Sequence, residues 1–289
     1  AQLPDGATLA RTEATTEHLR TLVKDHEALD NIFIVNGFDL IGGGNKTNAA
    51  TLFIPLRLWE LRERSAQQVA AEIMKKAGAL RDGTAFAFNP PTIRGIGQAG
   101  GFEVYVQSRV DPNPRRLSEV TQGLMAELAK HPALTGINTF YRPNTPQLKV
   151  EVDREKALSL GVPVAEVFEA LQATMGTLYV NDFNKFGRTY RVNMQADGKY
   201  RAKPEDLGNV FVRSGASGEM IPLKALLTVR DQIGPEQLER YNGFLAAKVL
   251  GGGKPGVSSG DAIRAVEQVA AGYLPEGYTI SWTGQAFQE

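Results

Sequence analysis

Apolar residues recur at helical spacing in four stretches of the chain. Over 65–80, Val69, Ile73, Ala77 and Leu80 share one face, and Ser65 with Gln68 fits a capping box. Over 117–131 the stripe is Leu117, Val120, Leu124 and Leu128. Over 163–175 it is Val164, Val167, Phe168, Leu171 and Met175, and over 259–274 it is Ile263, Val266, Ala270 and Tyr273. A weaker stretch, 8–26, carries Leu19, Leu22 and Val23 among many threonines. Core packing accounts for all these stripes. Between them lie short β-type runs: "IFIV", "TLFIPL", "FAF", "FEVYVQ", "LKVEV", "TYRVNM", "NVFV", "AAKVL" and "YTISW".

The order of these elements predicts an α+β chain. Residues 1–89 read (β)αββαβ if a strand leads into Gln2, while 101–141 and 244–284 each read βαβ. Each set has the split βαβ, ferredoxin-like arrangement, with helices on one face of an antiparallel sheet. We therefore expect two ferredoxin-like subdomains, one over 1–95 with its first strand missing and one over 96–144 with 234–289. An α+β subdomain over 145–233 interrupts the second. The absent strand would be interior to its sheet, and its loss would leave backbone groups unpaired. The expectation is a segment cut from a longer polypeptide.

Composition narrows the function. In 289 residues, Lys plus Arg and Asp plus Glu are 32 each, so no net field recruits nucleic acid. There is no cysteine, hence no disulfide or thiolate metal site. His18, His26 and His131 lie on helix-like segments without ligand spacing. No apolar run approaches the ~20 residues that span a bilayer. The opening "AQLPDGATLARTE" lacks the basic start and apolar stretch of a signal peptide.

One stretch invites a chemical reading: "FIVNGFDLIGGGNKTNAATLFIPL", residues 33–56, with three glycines before a Lys-Thr pair. A phosphate loop needs glycine immediately before the lysine and a helix after it. Here Asn45 precedes Lys46, Leu40 holds the first glycine's place, and a β-type run follows. The remaining readings are a mobile binding-site loop or a long hairpin connection. Serines and acids occur without a nearby histidine or paired carboxylates, so neither an enzyme nor a resident cofactor or metal is expected.

Eight stretches, "QLPDGAT", "VNGF", "FAFN", "TPQLKVEVD", "YVNDF", "KYRAKPEDLG", "LERYNG" and "WTGQAFQE", run in one order from end to end of the chain. With them the chain resembles the second large periplasmic loop of resistance–nodulation–division multidrug efflux pumps of the hydrophobe/amphiphile branch. The resemblance implies the periplasmic portion of a Gram-negative inner-membrane protein. It implies a trimeric drug–proton antiporter, working with a periplasmic adaptor and an outer-membrane channel, whose substrates are amphiphilic drugs and other small hydrophobic molecules. The proton-coupling residues and the other half of the pocket would lie outside this chain, 1–95 and 96–144/234–289 would be pore subdomains, and 145–233 a docking subdomain.

The resemblance also assigns residues. The segment Asn36, Gly37, Phe38, Asp39, Leu40, Ile41, Gly42, Gly43, Gly44, Asn45, Lys46 and Thr47 resembles the switch loop between an outer and a deep pocket. Phe33, Phe38, Leu40 and Phe53 would be aromatic or apolar wall, suited to substrates that share no hydrogen-bonding pattern. Otherwise, as strand residues, Phe33 and Phe53 belong to the core. Phe86 and Phe88, on one face of an expected strand, would form the mouth with Pro90, Arg94 and Gln98. Asn138, Phe140 and Leu250 occupy further pocket positions. Gly43 and Lys248 stand where relatives can carry arginine and glutamate. In 145–233, Asn181, Asp182, Asn184, Lys185 and Arg188 are expected on an exposed connection that would contact a neighbouring subunit or the upper assembly. Two rivals stay open: a ferredoxin-like small-molecule regulatory or enzymatic module, and a metal-ion pump, against which the five methionines lie scattered.

Overall fold

A computed structural model describes residues 1–90 and 100–289. The chain divides into two compact units, Ala1–Thr145 with Ile233–Glu289, and Pro146–Gln232. The sheets are antiparallel and mixed with helices, so the class is α+β.

The first unit begins with helix α1, Leu9–Val23, capped by the Thr8 side chain accepting from the Arg11 N–H. Its buried face is Thr12, Thr15, Thr16, Leu19 and Val23. Buried hydroxyls must find acceptors. Thr12 donates to Thr47 O at 2.6 Å and Thr16 bonds Asn36 Oδ1 at 2.9 Å, which seats the helix on the next two strands. Three of the five residues on its inner stripe are threonines, and this explains the weak hydrophobic signal.

Strands β1, Phe33–Phe38, and β2, Asn45–Phe53, pair antiparallel from Phe33↔Phe53 to Phe38↔Asn45. The register slips at Gly37, whose φ of +82° suits glycine, and where a Cβ would stand 3.2 Å from Leu9 Cδ1. Helix α2, Ala66–Ala77, starts with both halves of the expected capping box: Gln68 N to Ser65 Oγ at 3.2 Å and Ser65 N to Gln68 Oε1 at 2.8 Å. Val69, Ile73 and Ala77 pack against Leu19, Val23 and Leu29.

One expectation fails here. Phe86 and Phe88 are expected to share a face of a strand, but among the described residues 85–90 joins no ladder, and the pairing nearby is the bridge Gln2↔Thr84. A strand needs a partner along its length, and Gln2 offers one residue before Pro4, which has no N–H. Gln2 also bridges Ala49, so it lies between β2 and Thr84.

The unit's larger sheet is built from β3, Phe102–Ser108, and β4, Leu134–Thr139, on either side of α3, Pro114–Lys130. The chain then leaves for the second unit. There β5, Thr145–Val152, pairs with β10, Leu227–Gly234, and α4, Arg154–Ser159, and α5, Val164–Met175, follow β5. Between them come the hairpin β6, Leu178–Lys185, with β7, Arg188–Met194, and the short pair β8, Phe211–Arg213, with β9, Met220–Pro222. This unit has its own core of Ala157, Val162, Val167, Val212, Leu223 and Leu226.

Two expectations for the second unit change. Phe168 is exposed, because α5 buries only Val167 fully and packs Val164 and Leu171 beside it. Asn181, Asp182, Asn184 and Lys185 are on β6 and Arg188 opens β7, so they are strand residues of a ladder closed by the two-residue turn Phe186-Gly187, both at positive φ. Every residue of β7 is exposed.

Back in the first unit, β11, Glu239–Tyr241, turns through Asn242-Gly243 into β12, Phe244–Gly253; α6, Ser259–Tyr273, and β13, Tyr278–Thr283, end the fold. Strand β3 lies between β12 and β13, and the other edge of β12 pairs first with β11 and then with β4. Strands β1 and β2 form a different sheet. Leu117, Leu124 and Leu128 of α3 and Ala262, Val266 and Ala270 of α6 cover Val104, Val106, Ala247 and Val249. Burying each leucine fully contributes about 1.5–3 kcal/mol. Tyr273, expected on the α6 stripe, lies at its edge: a Cβ at Gly123 would stand 1.6 Å from its hydroxyl oxygen, so helix α3 needs glycine where the ring crosses. No described helix is long and apolar enough to cross a membrane.

Candidate binding cavity

A cavity of about 470 Å³ opens within the first unit. Its floor is the inner stripes of α1 and α2, including Leu19, Val23, Val69 and Ile73. Its rim is Leu40, Phe53, Phe86, Phe88, Pro90 and Phe140. Six of the residues singled out in the sequence thus meet around one space. Phe86 and Phe140, 54 positions apart by number, approach edge to face at a ring separation of 6.0 Å. Such a pair contributes about 0.5–1.5 kcal/mol beyond burial.

Phe33 and Phe53 face each other across the β1–β2 ladder, with ring centroids 6.3 Å apart. They are 62% and 43% exposed, so neither is a core residue. Phe53 reaches the cavity and Phe33 is not among its lining. Phe38 pairs with Asn45 at the end of the ladder, also away from the lining. Asn138 and Leu250 sit directly opposite each other on β4 and β12, again outside it. Arg94 and Gln98 fall outside the described residues.

The glycine segment is shorter than the twelve residues expected. Asn36, Gly37 and Phe38 belong to β1 and Asn45, Lys46 and Thr47 to β2, leaving Asp39 to Gly44 as the connection. Asn36 and Thr47 accept from buried threonines of α1, and that fixes them as ladder. Within the connection, Asp39 Oδ1 accepts from the N–H of Ile41 at 3.2 Å and of Gly42 at 2.8 Å, and Asp39 N donates to Gly44 O at 3.0 Å. Asp39, Leu40 and Ile41 line the cavity.

A polar cluster escaped the sequence reading. Lys46 Nζ lies 3.1 Å from Asp39 Oδ2 and 3.4 Å from Glu236 Oε2. The sequence did signal the Asp39 bonds to Ile41 and Gly42, since an aspartate opening a glycine turn caps its own backbone. Nothing local announces Glu236. A second polar group occupies the sheet face away from α3 and α6: Tyr105 stacks on Tyr241 at 4.3 Å and hydrogen-bonds Glu239, and Lys248 lies over the Tyr105 ring with Nζ 3.8 Å from Glu103. Burial, then the Glu239 contact, drives the Tyr105 hydroxyl well above its ordinary value, so it stays a neutral donor. No group of metal-ligating side chains occurs among the described residues.

An open apolar space with an aromatic rim holds molecules by burial rather than by directed bonds. Comparison with known proteins gives this geometry its context. The whole chain, residues 1–289, matches the model of the AcrB/AcrD/AcrF family. It is 37% identical over 294 residues to the multidrug export protein AcrF of Escherichia coli, covering all of this chain and 28% of AcrF. It is 35% identical over 292 residues to the probable efflux pump membrane transporter TtgB of Pseudomonas putida, covering 27% of that protein. It is 32% identical over 295 residues to the multidrug resistance protein MdtF of Escherichia coli, covering 28% of it. The chain therefore spans little more than a quarter of the length of these relatives. With every residue matched, the chain belongs to the AcrB/AcrD/AcrF family, within the resistance–nodulation–division multidrug efflux transporters.

Proposed function

We propose that this chain is the periplasmic substrate-binding portion of a proton-driven multidrug efflux transporter, holding amphiphilic drugs against the aromatic rim of its cavity. One observation carries the reading: Leu40, Phe53, Phe86, Phe88, Pro90 and Phe140, far apart in sequence, line one apolar space. Lys and Arg balance Asp and Glu, and a family of exporters supplies the chemistry of the cargo. The connection Asp39 to Gly44 acts as the switch between an outer and a deeper pocket, and Leu40 and Ile41 are its cavity-facing end. The chain performs no covalent chemistry; energy coupling belongs to membrane segments outside it.

The architecture proposed is two ferredoxin-like pore subdomains, over 1–95 and over 96–144 with 234–289, with a docking subdomain over 145–233. The strand order β13-β3-β12-β4 with α3 and α6 on one face supports the second. The two bridges of Gln2, to Ala49 and to Thr84, support the first, because a strand running through Gln2 would be interior. The exposed β6–β7 hairpin, with Phe183 stacked on Tyr190 at 5.4 Å, supports a docking role toward a neighbouring subunit of a homotrimer, the adaptor or the outer-membrane channel.

The test is drug resistance conferred by a full-length transporter carrying Phe53→Ala or Phe86→Ala, alongside each variant's melting temperature. Both side chains are partly exposed, so the expected result is an altered pattern across compounds at unchanged stability. Equal loss for every compound, in step with a lowered melting temperature, would reject the reading.

A further inference from the structure

The three consecutive glycines do two different jobs. Gly43 and Gly44 have φ of +81° and +85° with open space where a Cβ would stand. Gly42 has an ordinary φ, but a Cβ there would lie 2.3 Å from Asp39 Oδ2 and 3.0 Å from Lys46 Nζ. A side chain at 42 would therefore press on the ends of both partners of an ion pair, whereas one at 43 or 44 would strain the backbone.

That pair is out of water. The side chains of Lys46 and Asp39 are 8% and 7% exposed, and Glu236, on the segment between β10 and β11, completes the cluster. A buried ion pair adds little net stability over an apolar substitute, yet losing one partner strands a charge, so such pairs fix geometry more than they stabilise. The geometry fixed here is specific. One Asp39 oxygen holds the N–H groups of Ile41 and Gly42, the other faces Lys46, and Lys46 in turn reaches Glu236. Leu40 N is held by Thr51 Oγ1 at 3.2 Å on the neighbouring strand. Moving Leu40 and Ile41 away from the cavity therefore requires Asp39 to turn, and Asp39 cannot turn without breaking from Lys46.

We propose that Lys46 and Glu236 are positioning residues for the cavity: Lys46 holds the Asp39 turn so that Leu40 and Ile41 stay at the wall, and Glu236 anchors Lys46 to the segment between β10 and β11. The cost of detaching Lys46 sets how readily the connection leaves the wall, and so which sizes of substrate pass. This rests on the reading of the cavity as a transport site, and the test separates the two.

In a full-length transporter carrying this chain, amide hydrogen exchange is measured at residues 39–44, together with transport of one small and one large amphiphilic dye over a range of concentrations. Glu236→Gln keeps side-chain volume and removes the anchoring charge. It is expected to speed exchange at the Ile41 and Gly42 amides by about tenfold or more while β3 and α3 are unchanged. It should also shift the half-saturating concentration of the large dye more than its maximal rate. Lys46→Arg, which keeps the charge, should hold exchange near the wild-type rate. Unchanged exchange in Glu236→Gln, or a tenfold rise in Lys46→Arg, would overturn the proposal. Faster exchange in Glu236→Gln with unaltered transport of both dyes would uphold the anchoring and reject the transport reading of the cavity.

Discussion

Phe86 meets Phe140 edge to face, with ring centroids 6.0 Å apart and planes at 76°. One ring follows α2 and the other follows β4, so the contact joins two sets of elements whose sheets are separate. If both rings hold substrate, their truncations should not add. For an amphiphilic dye binding the full-length transporter, a Phe86→Ala/Phe140→Ala cycle should show coupling of about 0.5–1.5 kcal/mol. Strict additivity in titrations of dye fluorescence would argue that only one ring touches it.

The glycines should separate by mechanism. Gly43→Ala meets no atom but strains a left-handed backbone, at about 1–2 kcal/mol. Gly42→Ala pushes on the Asp39 carboxylate and the Lys46 amine, and loosening that buried pair costs up to the about 3–5 kcal/mol of losing it outright. Resistance assays should show both variants impaired toward large compounds, with Gly42→Ala the more severe, and differential scanning fluorimetry should show the lower melting temperature for Gly42→Ala.

Core and surface residues should respond differently to truncation. Leu124 is fully buried between α3 and the larger sheet, so Leu124→Ala should cost about 2–5 kcal/mol. Phe33 is mostly exposed, and Phe33→Ala should leave the urea midpoint nearly in place. A Phe33→Ala loss as large as that of Leu124→Ala would mean that the β1–β2 ladder packs against something more.

Burial raises the Tyr141 hydroxyl from 10.0 to about 12, and the hydroxyl donates to Pro114 O at 3.1 Å. The neutral form is the one the fold favours. Its contribution is complete below pH 10 and is lost as pH rises from 10 through about 12. Tyr141→Phe should be less stable at neutral pH by about 0.5–1.5 kcal/mol, and its disadvantage should shrink through that alkaline window. Melting curves at pH 9 to 12 check this; parallel curves would contradict it.

Features set by neighbouring residues were legible in the sequence. The Ser65/Gln68 cap rests on residues three positions apart, and the α3 stripe and the apolar runs of β3, β12 and β13 show in the local pattern of apolar residues. Elements set by distant partners were not. "FAF" alternates as a strand does, yet it finds no ladder, because strand formation is decided by a partner. Helix α1 reads weakly since its buried threonines are satisfied by β1 and β2. The exposed run "YVNDF" reads as a connection because none of its residues is buried, so no alternation marks the β6 ladder. Strand β11 is too short to show alternation, although Asn242-Gly243 announces the turn after it. At the cavity, Leu40, Phe53, Phe86, Phe88, Pro90 and Phe140 of the residues named by the family resemblance line the space, while Phe33, Phe38, Asn138 and Leu250 do not. Its floor and the Lys46–Glu236 contact were not, because they depend on how separate elements come together.

The central claim is that the aromatic rim holds amphiphilic cargo, and site-directed photolabelling of the full-length transporter tests it most directly. A photoreactive amphiphile, displaced by excess unlabelled substrate, is crosslinked and the modified peptides are mapped by mass spectrometry. Displaceable labelling at Leu40, Phe53, Phe86, Phe88 and Phe140 is the expected result. Labelling confined to the polar face around Tyr105 and Lys248, or labelling of the rim that excess substrate fails to displace, would contradict it.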